Sequence, residues 1–103
     1  MRIAYRPQVG DDLRAIRVYG IETWGIDRTL AFLGGLAETI ERLIENPRVG
    51  RPRDAIAAGL RSIRYRGYQV LYEISGDAVV ITAILHERRN LSALDFADRL
   101  EGE

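Results

Sequence analysis

The hydrophobic period of this chain changes once, at Gly59, and no other feature restricts the fold as much. Upstream, apolar residues recur in steps of three and four. Val9, Leu13, Ile16, Tyr19 or Gly20, and Trp24 make one helical stripe. Asp11 and Asp12 fall in its first turn, where carboxylates meet the positive end of the dipole, and Gly25 follows as a stop. Asp27 is then expected as the N-cap of a second helix. Its predicted stripe is Leu30, Leu33, Leu36 or Ala37, Ile40, Leu43 and Ile44, and Asn46-Pro47 ends it. Gly34-Gly35 within this helix costs about 1 kcal/mol per glycine relative to alanine, and such small residues let the first helix approach closely. Two helices so closely joined form an antiparallel hairpin.

Downstream of Gly59 the period is two. Residues 60–66 (LRSIRYR), 68–75 (YQVLYEIS) and 78–86 (AVVITAILH) read as strands, with Gly67 and Gly76-Asp77 as tight turns, so an antiparallel meander is predicted. The last strand is apolar on both faces and belongs in the middle of the sheet. Residues 2–6 (RIAYR) form a short strand that stops at Pro7. Residues 47–59, rich in Pro, Gly and Arg, read as a loop of a length that is often functional. The expected order is β–α–α–β–β–β, an α+β domain with a helical hairpin on one face of a mostly antiparallel sheet. One domain spans residues 1–103, and 91–103, with Leu91, Leu94 and Phe96, forms a short amphipathic tail that needs the body or a partner to be ordered. Strand order does not follow from periodicity.

Composition removes most chemistries. The chain has 103 residues, no cysteine and one histidine, His86, so disulfides, thiolate nucleophiles and cysteine or multi-histidine metal sites are excluded and no cofactor is expected. It has no lysine, which excludes Schiff bases and a P-loop. No apolar run reaches a membrane span and the N-terminus has no apolar signal core, so the chain is expected to be soluble and cytoplasmic. Its formal net charge is zero but unevenly spread. Residues 48–66 carry six arginines against Asp54 alone, whereas residues 67–103 carry three against seven acids. A basic middle and an acidic end point to a preferred partner, not to general nucleic-acid binding.

His86 is the sole candidate base, with Ser62, Ser75 or Ser92 as nucleophile, but no Gly-x-Ser-x-Gly elbow surrounds any of them. Arg51, Arg53, Arg61, Arg64, Arg66, Arg88 and Arg89 come from the loop, the first meander strand and the exit of the last, and can gather at one end of the sheet beside His86. Arginine offers bidentate contacts to phosphate or carboxylate. Two readings stand: a solvated polar face, and a partner-binding surface.

The ordered set NP…GRPR…GLRS…GYQVLY…ILHERR, with DDLRAIRVYGIETWG before it, resembles the ParE branch of the RelE/ParE toxins over about residues 2–90. The resemblance implies the β–α–α–β–β–β fold and two rival mechanisms. RelE-type members are ribosome-dependent mRNA endonucleases with basic residues on the sheet and a tyrosine after the last strand. Here Gln69 stands where such nucleases usually carry arginine, Leu94 stands near the tyrosine position, Arg88 matches a cation and Arg61 matches another. ParE-type toxins instead inhibit DNA gyrase by binding it. The implied function is therefore a non-catalytic gyrase inhibitor; the alternative is an mRNA endonuclease using Arg61, His86 and Arg88. A toxin fold that has lost toxicity is a third possibility. The resemblance also implies a cognate ParD-like ribbon-helix-helix antitoxin, a hetero-oligomer with it, and DNA contact only through it. Arg51, Arg53, Arg61, Arg64, Arg88 and Arg89 are the expected target or antitoxin contacts. Ile21, Ile26 and Phe32, off the main stripes, are expected either to receive an antitoxin helix or to pack among themselves.

Overall fold

The computed structural model describes residues 1–88; Arg89, Leu94 and the amphipathic segment expected over 91–103 lie outside the described residues. Strand β1 (Arg2–Tyr5) leads through Pro7 into helix α1 (Gln8–Trp24), and Gly25 alone separates it from helix α2 (Ile26–Glu41). A 3₁₀ turn (Arg42–Ile44) closes the hairpin before the prolines. Then follow β2 (Arg51–Pro52), β3 (Arg61–Tyr65), β4 (Tyr68–Ser75) and β5 (Ala78–His86). The two long strands have the limits their alternation predicts. Arg51–Pro52 corrects the reading of 47–59 as loop throughout: it pairs with Ser62 and Arg61 as a fifth strand, too short to leave a period in the sequence.

Gly25 is the residue that lets one helix turn back on the other. Its φ of 88° is open to glycine and strained for side chains. Its carbonyl accepts from the amide (3.2 Å) and the hydroxyl (2.7 Å) of Thr29. The cap is therefore Gly25, and Asp27 lies within the first turn, not at the N-cap. The close approach of the helices is also not at Gly34-Gly35. It lies at Gly20, where an added Cβ would come 2.7 Å from Oγ1 of fully buried Thr29. Gly35 instead faces the Tyr65 hydroxyl, which donates to the Phe32 carbonyl at 2.8 Å.

The second stripe holds as predicted at Leu36, Ile40 and Leu43, but at its start Thr29 and Phe32 take the buried places expected for Leu30 and Leu33. Thr29, Phe32, Leu36, Ile40 and Leu43 are buried, while Leu30 is 61% exposed. The aromatic ring decides this phase, because Phe32 packs against Trp24, Tyr65 and Tyr68 at centroid distances of 5.0–5.7 Å.

The sheet order is β1-β5-β4-β3-β2, with β1 parallel to β5 and the other pairs antiparallel. As expected, β5 is an interior, buried strand, between β1 and β4. Between the pairs Tyr72↔Ile81 and Leu71↔Ala83, Thr82 is the extra residue of a bulge. Val79 and Ile81 therefore face the helices, and beyond the bulge so does Ile84. Where β1 ends, the Asp12 carboxylate of α1 accepts from the Ile84 amide at 3.0 Å and shields the strand edge. The other sheet face is covered by the segment after β2, where Ile56 and Ala57 pack on Leu60, Leu71, Ala83 and Leu85. Among the described residues no helix is long and apolar enough to cross a membrane.

Candidate functional site

Alternation along β3 and β4 separates the polar residues by face. Ile63, Tyr65 and Val70 join the helix-side core. Ser62, Arg64 and Gln69 therefore point to the opposite face, where with Arg51, Arg53, Glu87 and Arg88 they line a groove of about 570 Å³. Four arginines against one glutamate make it cationic. Two of the four are engaged by neighbouring side chains. Arg53 donates to Oγ of Ser62 (3.2 Å) and Oε1 of Gln69 (2.7 Å), and Arg64 donates to Oε2 of Glu87 at 2.5 Å. Such a surface holds a carboxylate or phosphate through fixed guanidinium groups.

The structure brings Arg51, Arg53, Arg64 and Arg88 together but places three other predicted members elsewhere. Arg61 has the opposite orientation on β3. It ties down the loop before β2 by donating to the carbonyls of Arg48 (3.0 Å) and Gly50 (2.7 Å). His86 pairs with Tyr68 across β4–β5 and stacks edge-on against its ring at 5.3 Å. Its Nδ1 accepts from the Arg88 amide at 3.2 Å. His86 lines a different recess, with Tyr19, Trp24, Arg66 and Tyr68. Proximity along the sequence had merged two sides of the sheet into one patch. The residues that join the groove unforeseen, Ser62 and Gln69, are legible only once alternation is tied to a known face.

On the helical side, Ile21 (42%) and Ile26 (60%) are exposed, but Phe32 is 7% exposed and belongs to the core. An apolar opening on this side lies elsewhere. Tyr5, Leu13, Leu33, Ala37 and Ile40 line an apolar groove of about 390 Å³ between the helices, flanked by Arg14 and Arg17. Four of these five belong to the two predicted helical stripes and Tyr5 to the first strand; the smallness of Gly10, which also lines the opening, and of Ala37 is the sequence signal that it stays open. Among the described residues no group of three His, Cys, Asp or Glu is placed to hold a metal.

The helical hairpin over one face of a five-stranded sheet is shared with a solved structure. A chain of the solved "Chromosomal ParDE TA system from P. aeruginosa" has the same fold, with a TM-score of 0.74 at 18% identity over 84% of this chain and 95% of that one. At the level of sequence, the model of the ParE toxin family of type II toxin–antitoxin systems (parDE) matches residues 3–91, and this chain belongs to that family. Toxin ParE3 of Caulobacter vibrioides is 38% identical over 91 residues, 88% of this chain and 90% of the relative. Toxin ParE1 of the same organism is 32% identical over 82 residues, 80% and 84% of the two chains.

Proposed function

We propose that this chain is the toxin of a pair with a ParD-like antitoxin, that it inhibits DNA gyrase in the cytoplasm by binding it, and that it carries out no bond-breaking step. The observation that carries this reading is the state of the arginine groove. Arg53 is held by two neutral side chains, Arg64 by Glu87, and the one imidazole lies across the sheet. A nuclease needs an acid and a base within hydrogen-bond reach of the reacting hydroxyl. A binding surface needs only fixed charge and matching shape.

Neutralisation fits the second groove. An amphipathic acidic helix of the antitoxin lays its apolar side against Leu33, Ala37 and Ile40 and its carboxylates toward Arg14 and Arg17. Toxin and antitoxin form a hetero-oligomer, and the duplex DNA that the pair contacts is reached through the antitoxin. Incubation of the purified toxin with gyrase and plasmid is expected to accumulate cleaved-DNA complexes while mRNA on translating ribosomes stays intact. Defined mRNA cuts that disappear in Arg88→Ala would overturn the reading in favour of the endonuclease.

A further inference from the structure

We propose that the recess beside the turn of the helical hairpin binds a single unpaired nucleotide, its base against an aromatic wall and its phosphate on Arg66. The recess holds about 370 Å³ and is lined by Tyr19, Trp24, Arg66, Tyr68 and His86. That volume falls within the roughly 300–1,000 Å³ of small-molecule clefts. It lies on the helical side of the sheet, away from the arginine groove, so the proposal stands apart from the gyrase reading.

Four of the five lining residues are rings, and they are held in place. Tyr19 meets Trp24 edge-on at 5.8 Å, Trp24 and Tyr68 each rest on buried Phe32, and Tyr68 meets His86 at 5.3 Å. Such a backed wall loses little freedom when a ligand stacks on it. Core packing accounts for Phe32 but not for Tyr19, which is 55% exposed. No carboxylate lines the recess, so a cationic ligand would meet Arg66 unopposed; a planar ring carrying negative charge suits both parts of the site.

The choice of residue at position 66 is the second observation. Arg66 and Gly67 form the two-residue turn between β3 and β4, with φ of 45° and 87°. Turns of this kind favour Asn-Gly, because a long side chain is strained at positive φ. Arginine is a poor turn former here, and what it adds is a guanidinium that lies over the Tyr65 ring, 5.8 Å from its centroid, on a side chain that borders the recess. Local strain of this sort collects at functional positions.

Trp24 is the only tryptophan in the chain, so its emission reports directly on the site. Full-length toxin titrated with dAMP and with a short single-stranded oligodeoxynucleotide is expected to show saturable quenching that neither deoxyadenosine nor inorganic phosphate reproduces. Quenching by dAMP as tight as by the oligonucleotide assigns a free nucleotide; quenching by the oligonucleotide alone assigns single-stranded nucleic acid. Arg66→Asn keeps the turn and should weaken binding about tenfold or more through loss of a charge-assisted contact. Tyr19→Ala should weaken it by a similar factor of roughly ten through loss of stacking. Circular dichroism checks that both variants fold. The proposal is overturned by the absence of saturable quenching, or by equal binding in wild type and Arg66→Asn. It is also overturned if both variants lose gyrase inhibition while no nucleotide binds, which would make the recess a protein contact.

Discussion

The Tyr72 hydroxyl holds together a stretch of chain that has almost no regular structure. The side chain is fully buried, donates to the Pro47 carbonyl at 2.7 Å and accepts from the Gly50 amide at 2.8 Å. Tyr72→Phe leaves both backbone groups unpaired and should cost about 1–3 kcal/mol, read as a lower urea midpoint at unchanged m. Burial raises the Tyr72 phenol above its ordinary 10.0, outweighing the opposing effects of the Gly50 hydrogen bond and the Arg61 charge. The unfolded chain therefore releases this proton first. The contribution to stability is complete below pH 10 and is lost as pH rises beyond it. Unfolding measured above pH 10 should show a shallower alkaline decline in Tyr72→Phe; Tyr5 and Tyr68, shifted upward by their own burial, keep part of the slope. None of this is visible in the string YQVLYEI, where Tyr72 is one more apolar residue of a strand.

The elements themselves were legible wherever a period ran long enough to be counted. Strands β4 and β5 were readable to the residue, because alternation between two defined turns has only one solution. The phase at the start of α2 was not, because Leu30 and Leu33 continue the stripe as regularly as Thr29 and Phe32 do. Rings from other elements and the notch at Gly20 select between them. Gly20→Ala should accordingly force the helices apart and lower stability by about 1–3 kcal/mol, since the atom met is buried Thr29 and not a movable chain end. Arginines on one strand divide in the same way. Arg61→Ala releases two loop carbonyls, and limited proteolysis should cut at 48–50 more readily. Arg64→Ala breaks an exposed pair (76% and 34% side-chain exposure) and should leave the urea midpoint within about 0.5 kcal/mol of wild type.

At the scale of the whole molecule, the sheet keeps three openings apart: the cationic groove on one face, and the apolar groove and the aromatic recess on the other. One small chain thus presents three chemically distinct surfaces. Ala37 is exposed and helical, so Ala37→Glu should preserve the fold while placing a charge in the apolar groove. Titration calorimetry with the antitoxin is expected to show affinity lowered by about tenfold or more, from repulsion of an acidic segment and loss of apolar contact. Gyrase inhibition by the free toxin should be unchanged.

Periodicity, turn residues and composition were enough to set the class of fold, the order of elements, the interior place of the last strand and the lack of thiol and lysine side chains. These properties depend on neighbours along the chain, or on residue types the chain does not contain. The phase at the start of the second helix, the short strand Arg51–Pro52, the loop cover over Leu71 and Leu85, and the parting of His86 and Arg61 from the other arginines depend on which atoms meet across the sheet. A linear sequence states that two residues are both basic. Only packing states on which side of a sheet each one stands, because alternate side chains of a strand point in opposite directions.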